Sequence, residues 1–514
     1  MSDTRTGNSI KNSGATIFGR AATLVMEFVL RTVLIKTLGI EYGGVSSLFT
    51  DILQVLSLME LGLGSAIVFA LYKPLAQKDF PRINALMHFY KTAYNMIAAG
   101  VFLLGLCFIP FLNAIVTDVP NIKEDIRVIF MLYVAASSCS YLVVYKETLI
   151  RASQQSRVAV RIEMTVQIIF MGLESLALFL FHEYMIYLVL RVVTYLVRNL
   201  LISREVKKRF PQVNFGSKER LGEKDRQKLM RDIGAMALYK VSGVVLNGTD
   251  SIIISAFLST SMVGIMGHFR MLSNCITNLT NKVWAAVLPS VGNLAAVDRE
   301  NKQYRVFMKA NFASYLFSVF CSIAMFHLMN PLVTVWLGAE YTVSTATAFA
   351  IAFNIYLFLT ILPFQTFRDA NGLFVQGKYR PVIMSVINIV LSLLLVKPWG
   401  LFGVLIATPI SRVATQTWFD PYVVYKHVFK RSPAPYYREF AFHSLLTLAI
   451  GAVIWALLEA SGVGGGLLRL LLGGVVCVVI PLSVYCLLFR KNQQFVQLVE
   501  YGKKFLNRIL KKKR

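Results

Sequence analysis

Residues 31–66 read RTVLIKTLGIEYGGVSSLFTDILQVLSLMELGLGSA, two apolar segments joined by a short turn rich in small residues. A segment of about 20 apolar residues can cross a bilayer as an α-helix, because only a helix satisfies its own backbone hydrogen bonds in lipid. Similar segments continue towards the end of the chain. We therefore predict an all-α polytopic membrane protein with about 14 transmembrane helices. The predicted spans are 14–38, 44–71, 86–110, 125–148, 159–181, 184–203, 234–258, 262–288, 308–329, 343–367, 380–396, 401–424, 439–459 and 466–489.

The distribution of lysine and arginine predicts the orientation of these spans. Basic residues are concentrated in alternate connections, above all in 204–232, in 299–309 and after residue 490. The positive-inside rule places these connections in the cytoplasm. Both the N and the C terminus are then cytoplasmic, which requires an even number of spans and agrees with the number of apolar segments.

The composition also bears on partners and on catalysis. The net charge is +26 and 56% of the residues are hydrophobic. The basic loops of a membrane protein account for this charge, so we expect membrane lipids and no nucleic acid as partners. The six cysteines are scattered without metal-ligand spacing, and the sequence has no Walker-type phosphate loop or membrane-facing carboxylate cluster. We therefore expect no enzyme activity, no metal and no cofactor.

A weak internal repeat predicts two related halves. At an offset of about 220 residues, 38–45 aligns with 258–265, and Phe49 aligns with Phe269. Six predicted spans separate the copies, so both have the same orientation, which is typical of a parallel repeat about an axis along the membrane normal. The alternative is chance similarity between two hydrophobic hairpins.

The repeat and the basic segments together predict the domain organisation. We expect two six-helix bundles, an additional hairpin outside the repeat, and two basic cytoplasmic segments. The predicted regions are an N-terminal six-helix lobe (1–203), a basic cytoplasmic linker (204–232), a second six-helix lobe (233–424), an additional transmembrane hairpin (425–490) and a basic cytoplasmic tail (491–514).

Charged and amide side chains recur inside the first hairpin of each predicted half. A charge at the centre of a span is unfavourable by roughly 2.5–3.5 kcal/mol and usually faces a partner or a water-filled cavity. The candidates for binding an anionic substrate are Arg20, Arg31, Arg270, Asn274, Asn278 and Lys282. The candidates for binding a coupling cation or forming an ion pair are Glu27, Asp51, Glu60 and Asp250.

Two interpretations of these residues remain open. In the functional one, Arg31 and Arg270 bind phosphate, because the planar guanidinium donates two parallel hydrogen bonds. In the structural one, Glu27–Arg31 and Asp250–Arg270 are internal ion pairs that only fix helix packing.

The first hairpin also resembles a known family. Residues 39–49 contain the pattern GxxYGxxxxLF, and 60–66 read ELGLGSA. Both are similar to the start of bacterial polysaccharide flippases, members of the multidrug/oligosaccharidyl-lipid/polysaccharide exporter superfamily. The resemblance extends to the number of spans, the two halves and the additional hairpin. Arg31 and Arg270 resemble, in span and helix face, essential cavity arginines of the related peptidoglycan-precursor flippases.

The resemblance implies a function and a location. It implies a multi-pass protein of the bacterial inner (plasma) membrane that translocates undecaprenyl-diphosphate-linked oligosaccharide repeat units between leaflets by alternating access. Such transport serves capsule, exopolysaccharide or similar surface glycans. Na⁺ or H⁺ is the expected coupling ion, and a polysaccharide polymerase and glycosyltransferases are expected partners.

Other functions remain as alternatives. A cation-coupled multidrug antiporter of the same fold would have about twelve spans and a carboxylate-rich cavity. A membrane-embedded glycan-assembly enzyme would need catalytic acids at a membrane face. A scaffold for a glycan synthase would support assembly without transport.

Overall fold

The structure of the chain is a computed structural model, described here at residues 19, 22–60, 63–116, 122–153, 155–217, 219, 221–223, 226–227, 229–230, 233, 248–297, 300–373, 375–377, 379–464 and 466–500. Parts of several predicted regions lie outside these residues. They include 14–18 and 20–21 of the first span, 61–62 of the second span, several positions of the basic linker, 234–247 of the seventh span and 501–514 of the basic tail.

The described residues are helical and contain no strand, which confirms the all-α prediction. Short 3-10 and π-helical turns connect or extend some of the helices. The helices, numbered in chain order, are α1 (22–38), α2 (Ile40–Leu56), α3 (Leu63–Gln77), α4 (Phe80–Phe108), α5 (Leu112–Ile115), α6 (Ile126–Tyr141), α7 (Val144–Ala152), α8 (Ser156–Phe181), α9 (Tyr184–Arg209), α10 (248–257), α11 (Thr260–Val297), α12 (Glu300–Trp336), α13 (Thr345–Ala370), α14 (Arg380–Val424), α15 (Ala434–Ala460), α16 (Leu467–Phe489) and α17 (493–500).

Many of these helices have membrane-spanning length. Within the described residues, nine helical segments are long and apolar enough to cross a membrane, by length and composition. This confirms a polytopic membrane protein, while the total of about 14 spans and the cytoplasmic termini stay predictions. Polar residues begin several helices: the side chains of Asp79, Asp125 and Ser344 accept hydrogen bonds from first-turn backbone N–H groups.

The continuous segment α14 is in fact two helices joined by a tight reversal. A straight helix of its 45 residues would measure about 68 Å, roughly twice the hydrocarbon thickness. The backbone of Gly400 leaves the helical region at φ 56° and ψ −134°. A Cβ added to Gly403 would lie 2.1 Å from the carbonyl oxygen of Leu395, so the two arms touch. The structure thus has helices on both sides of Gly400, where the sequence predicts the spans 380–396 and 401–424.

The contacts group the chain into two compact units, residues 1–264 (unit 1) and 265–514 (unit 2). One core cluster of unit 1 joins α3, α4, α7 and the end of α9. In unit 2, one core cluster joins α12, α13 and the end of α14, and another joins α12 to α15 and α16. The helices of the predicted additional hairpin therefore pack into unit 2, while the predicted domain boundaries stay predictions.

Candidate functional site

Two glycines of unit 1 let α2 and the start of α11 cross in backbone contact. A Cβ added to Gly44 would lie 2.1 Å from the carbonyl oxygen of Thr260, and one added to Gly264 would lie 2.7 Å from that of Ile40. No side chain fits either position without moving the backbone, so both positions require glycine. We call this contact the glycine crossing.

The glycine crossing is reciprocal in sequence. Gly44 aligns with Gly264 at the offset of the predicted repeat, and Ile40 aligns with Thr260. Gly44 contacts Thr260, and in the other copy the aligned glycine, Gly264, contacts Ile40, the residue aligned with Thr260.

Arg31 on α1 lies at the glycine crossing. Its Nη1 donates to the carbonyl oxygen of Gly43 at 3.2 Å, and its Nη2 donates to that of Gly264 at 3.0 Å. The rigid fork of the guanidinium suits this double contact, because its donors are held in one plane. Arg31 thus connects α1 to both crossing helices, and its predicted role in substrate binding stays a prediction.

Two of the candidate carboxylates join helices of unit 1. Asp51 on α2 is only 6% exposed and accepts a hydrogen bond from the hydroxyl of Ser251 on α10. Glu60, just after α2, accepts a hydrogen bond from the hydroxyl of Tyr94 on α4 at 3.1 Å. Both contacts can fix helix packing, and the predicted binding of a coupling cation stays untested.

The remaining candidates differ in exposure. Glu27 and Asp250 are half-buried in unit 1, and Arg20 lies outside the described residues. On α11, Arg270 is half-buried, whereas three further polar candidates are exposed: Asn274, Asn278 and Lys282. Steps of four residues place Arg270 and these three side chains along one side of α11, a row that we call the α11 polar stripe.

The exposure of the α11 polar stripe has a physical consequence. Polar side chains in a membrane-length helix are unfavourable against lipid and usually face water or polar groups. Leu279 and Val283 on the same helix are 62% and 56% exposed. α11 therefore presents both an apolar and a polar surface, and the polar one suits a hydrated path.

A buried ionic network in unit 2 was not predicted from the sequence. Arg368 at the end of α13 donates from Nη1 to Asp420 Oδ1 at 3.1 Å, and Arg380 Nε lies 3.3 Å from the same oxygen. Arg368 also pairs with Asp369 at 3.2 Å. The Asp420 side chain is 1% exposed. We call these residues the Asp420 network; the signal in the sequence was one acidic residue in an apolar helix.

Unit 1 contains further buried charges. Glu147 on α7 pairs with both Arg151 and Arg198. Arg191 on α9 donates to the hydroxyls of Tyr187 at 3.0 Å and Tyr133 at 3.3 Å. These contacts connect α6, α7 and α9, and they indicate a structural role for the arginines of α9.

Membrane-length helices, buried ionic contacts and an exposed polar stripe together define a polytopic membrane protein with a polar helix face. The sequence model for the polysaccharide biosynthesis protein family matches residues 9–295. That match covers more than half of the chain, and the chain belongs to this family. No curated protein sequence shows significant similarity to it.

Solved structures share the fold of the chain. The lipid II flippase MurJ, in an inward closed conformation, superposes with a TM-score of 0.61 at 14% identity, covering 94% of this chain and 99% of its own. An inward-facing multidrug resistance MATE family transporter of the MOP superfamily gives 0.62 at 10% identity, covering 78% and 95%. The Vibrio cholerae MATE transporter VcmN in the bent form gives 0.52 at 10% identity, covering 82% and 96%. At these identities the likenesses show a common fold, while the family itself is shown by the match of the sequence model.

Proposed function

We propose that the protein is a flippase that moves undecaprenyl-diphosphate-linked oligosaccharide repeat units from the inner to the outer leaflet of the bacterial inner membrane. The observation that carries this proposal is the extent of the fold likeness. The likeness to the lipid II flippase covers more of this chain than the likeness to either MATE transporter. The family's description as a polysaccharide biosynthesis protein agrees with a lipid-linked glycan as cargo.

The α11 polar stripe supports the same proposal in chemical terms. A diphosphate and its sugars cannot cross hydrocarbon unsolvated, since buried charges and unpaired polar groups are strongly unfavourable. The exposed amides of Asn274 and Asn278 offer donors and acceptors for sugar hydroxyls, and Lys282 and Arg270 offer positive charge to the diphosphate. In this proposal the stripe lines the path of the headgroup, and transport proceeds by alternating access.

The coupling ion and the partners belong to the proposal as well. Glu27 or Asp250 would bind Na⁺ or H⁺, because half-buried carboxylates within a membrane helix often serve such coupling. Glycosyltransferases would act before translocation and a polysaccharide polymerase after it. The product would be capsule, exopolysaccharide or a similar surface glycan.

The test follows lipid-linked repeat units in the native host. The chromosomal gene is replaced by wild type, by Arg270→Ala, by the double variant Asn274→Leu/Asn278→Leu, or by Lys302→Gln. Lys302 is an exposed lysine in the first turn of α12 and serves as the control. We expect the two stripe variants to lose surface glycan while intact lipid-linked repeat units accumulate in the inner leaflet. The Lys302 variant should export normally.

Other results would contradict the proposal. Missing or incomplete repeat units in a deletion strain would indicate a role in glycan assembly. Normal surface glycan in a deletion strain would exclude the flippase function. If the deletion strain lost surface glycan but the stripe variants kept it, with normal amounts of protein in the membrane, the stripe would not line the path.

A multidrug antiporter is the second candidate, because the fold likeness to the MATE family transporter has a comparable TM-score. It predicts that a deletion strain retains surface glycan and becomes sensitive to cationic dyes. The helices α15 and α16, part of the unit 2 core, are a feature that an antiporter of about twelve spans would lack. Efflux of a fluorescent cationic dye from wild-type and deletion cells separates the two candidates.

A further inference from the structure

The basic segment after α9 does not leave the protein as a solvated linker. Residues 210–217 (the post-α9 segment) fold back onto unit 1. The backbone N–H of Asn214 donates to the side chain of Asn84 on α4 at 3.0 Å. The ring of Phe215 lies edge-on to that of Tyr145 on α7, with centroids 6.1 Å apart. The post-α9 segment therefore covers one end of α4 and α7.

Three lysines from three helices lie near this segment, two of them in contact with it and the third exposed beside them. Lys146 on α7 donates from Nζ to the hydroxyl of Ser203 at 3.0 Å, and this Nζ lies 5.6 Å from the centre of the Phe215 ring. Lys91 on α4 donates to the carbonyl oxygen of Phe215 at 3.3 Å. The ammonium groups of Lys91 and Lys207, the latter on α9, repel that of Lys146. We call Lys91, Lys146 and Lys207 the lysine cluster.

The carboxylate next to the lysine cluster in the chain is already engaged. Glu147 follows Lys146 directly, and it pairs with Arg151 and Arg198. Like charges in a half-buried site repel each other more strongly than in bulk water, because water screens them less. An anion bound among the three ammonium groups would offset this repulsion. Each ammonium carries three N–H donors, of which Lys91 and Lys146 each use one in the contacts above.

We propose that the lysine cluster binds the phosphate group of a membrane lipid in the inner leaflet. A compact phosphate with several acceptor oxygens suits converging point-like ammonium groups. Lys146 and Lys207 lie near the ends of the predicted spans 125–148 and 184–203, at the predicted cytoplasmic side. Lipid phosphates are concentrated at this depth, and the anionic inner surface attracts basic residues.

The proposal does not depend on the transported substrate. Two lipids carry the required phosphate: an anionic phospholipid and a diphosphate-linked lipid. The phosphate chemistry is the same for both, and the experiment below distinguishes them. The cluster is a set of residues separate from the α11 polar stripe.

The experiment measures lipid retention by the purified full-length protein with native mass spectrometry, during titration with phosphatidylglycerol or phosphatidylcholine. The cluster variant is Lys91→Gln/Lys146→Gln/Lys207→Gln. The matched control removes the same charge from three exposed lysines of unit 1, Lys73→Gln/Lys78→Gln/Lys208→Gln. We expect wild type and control to prefer phosphatidylglycerol. The cluster variant should bind it at least about tenfold more weakly.

Three additional variants control for misfolding. Lys207 and Lys208 are adjacent and both exposed on α9, so Lys207→Gln should weaken phosphatidylglycerol binding while Lys208→Gln should not. The triple replacement of the cluster by arginine should retain binding, since the positive charge remains. Equal losses in the cluster and control variants, or an unchanged preference in the cluster variant, would overturn the proposal.

A competition with inorganic diphosphate identifies the source of the phosphate. Displacement of phosphatidylglycerol from wild type by diphosphate, together with reduced glycan export by the cluster variant, would assign the site to a diphosphate-linked lipid. Resistance to diphosphate with normal export would assign it to an anionic phospholipid. Both outcomes uphold the lysine cluster as a lipid phosphate site, even if the proposed flippase function fails.

Discussion

Two arginines placed within helical bundles satisfy their guanidinium groups in different ways. In unit 1, Arg31 donates to the backbone carbonyl oxygens of Gly43 and Gly264 at the glycine crossing. In unit 2, Arg368 donates to the carboxylates of Asp420 and Asp369. The first arrangement reinforces a steric contact between backbones, and the second depends on buried opposite charges. The glycine crossing and the Asp420 network should therefore be destabilised by different kinds of substitution.

The difference indicates which residue is critical in each region. At the glycine crossing the space beside Gly44 and Gly264 is limiting, because an added Cβ meets backbone atoms. In the Asp420 network the carboxylate is limiting, because one side chain pairs with two arginines. Removing one partner of a buried ion pair destabilises a protein more than replacing both partners by apolar residues. The single removal takes the opposite charge away from a group that stays poorly solvated.

The largest effect is expected for Asp420→Asn. This substitution leaves Arg368 and Arg380 without the carboxylate that both contact. We expect the free energy of unfolding to fall by about 3–5 kcal/mol. Denaturant titration of the purified protein in detergent micelles, followed by circular dichroism, measures this loss.

Asp369→Asn is the matched control for this prediction. It removes a carboxylate that also contacts Arg368 but whose side chain is 37% exposed. Exposed ion pairs contribute about 0–1 kcal/mol, so its effect should be small. Equal losses for the two variants would show that burial does not set the strength of the Asp420 network.

A smaller effect is expected for Gly44→Ala at the glycine crossing. The new Cβ would lie 2.1 Å from the carbonyl oxygen of Thr260, so α2 and α11 must separate. Overpacking of this kind typically destabilises by about 1–3 kcal/mol. The same titration applies, and Gly264→Ala should behave similarly because the contact is reciprocal.

Gly474→Ala in α16 provides the control for added volume. Apart from the backbone of its own helix and its chain neighbours, no atom lies within 4 Å of a Cβ built at this position. Alanine favours the helix by about 1 kcal/mol relative to glycine, so this variant should be neutral or more stable. Comparable destabilisation by Gly44→Ala and Gly474→Ala would contradict the steric account of the crossing.

The sequence predicted the helices better than their contacts. Long apolar segments define membrane-length helices on their own, since a helix satisfies its backbone internally. The repeat aligned Gly44 with Gly264, but only the structure brings them into contact. An alignment of two segments about 220 residues apart does not give the distance between them in space.

The candidate site was predicted only in part, for the same reason. The common side of the polar stripe follows from helical periodicity along α11, so its geometry could be predicted, while its role in binding stays a prediction. The partners of Asp420 could not, because Arg368, Arg380 and Asp420 are separated in the chain and meet through tertiary packing. The ring contact between Phe215 and Tyr145 was not predicted either, because a basic segment usually indicates a solvated loop.

Apart from the control variants, the smallest effect on stability is expected for Arg31→Lys, which also separates the two interpretations of this residue. Lysine keeps the charge but lacks the planar fork that reaches the carbonyl oxygens of Gly43 and Gly264 together. We expect a loss of about 1 kcal/mol, in the range of one net hydrogen bond. If Arg31 only holds the glycine crossing, glycan export by Arg31→Lys and Arg31→Gln should fall in proportion to their stabilities. If Arg31 also attracts an anionic headgroup, Arg31→Gln should export far less glycan than a variant of equal stability that keeps the positive charge. Arg31→Lys keeps this charge, and Arg31→Gln does not.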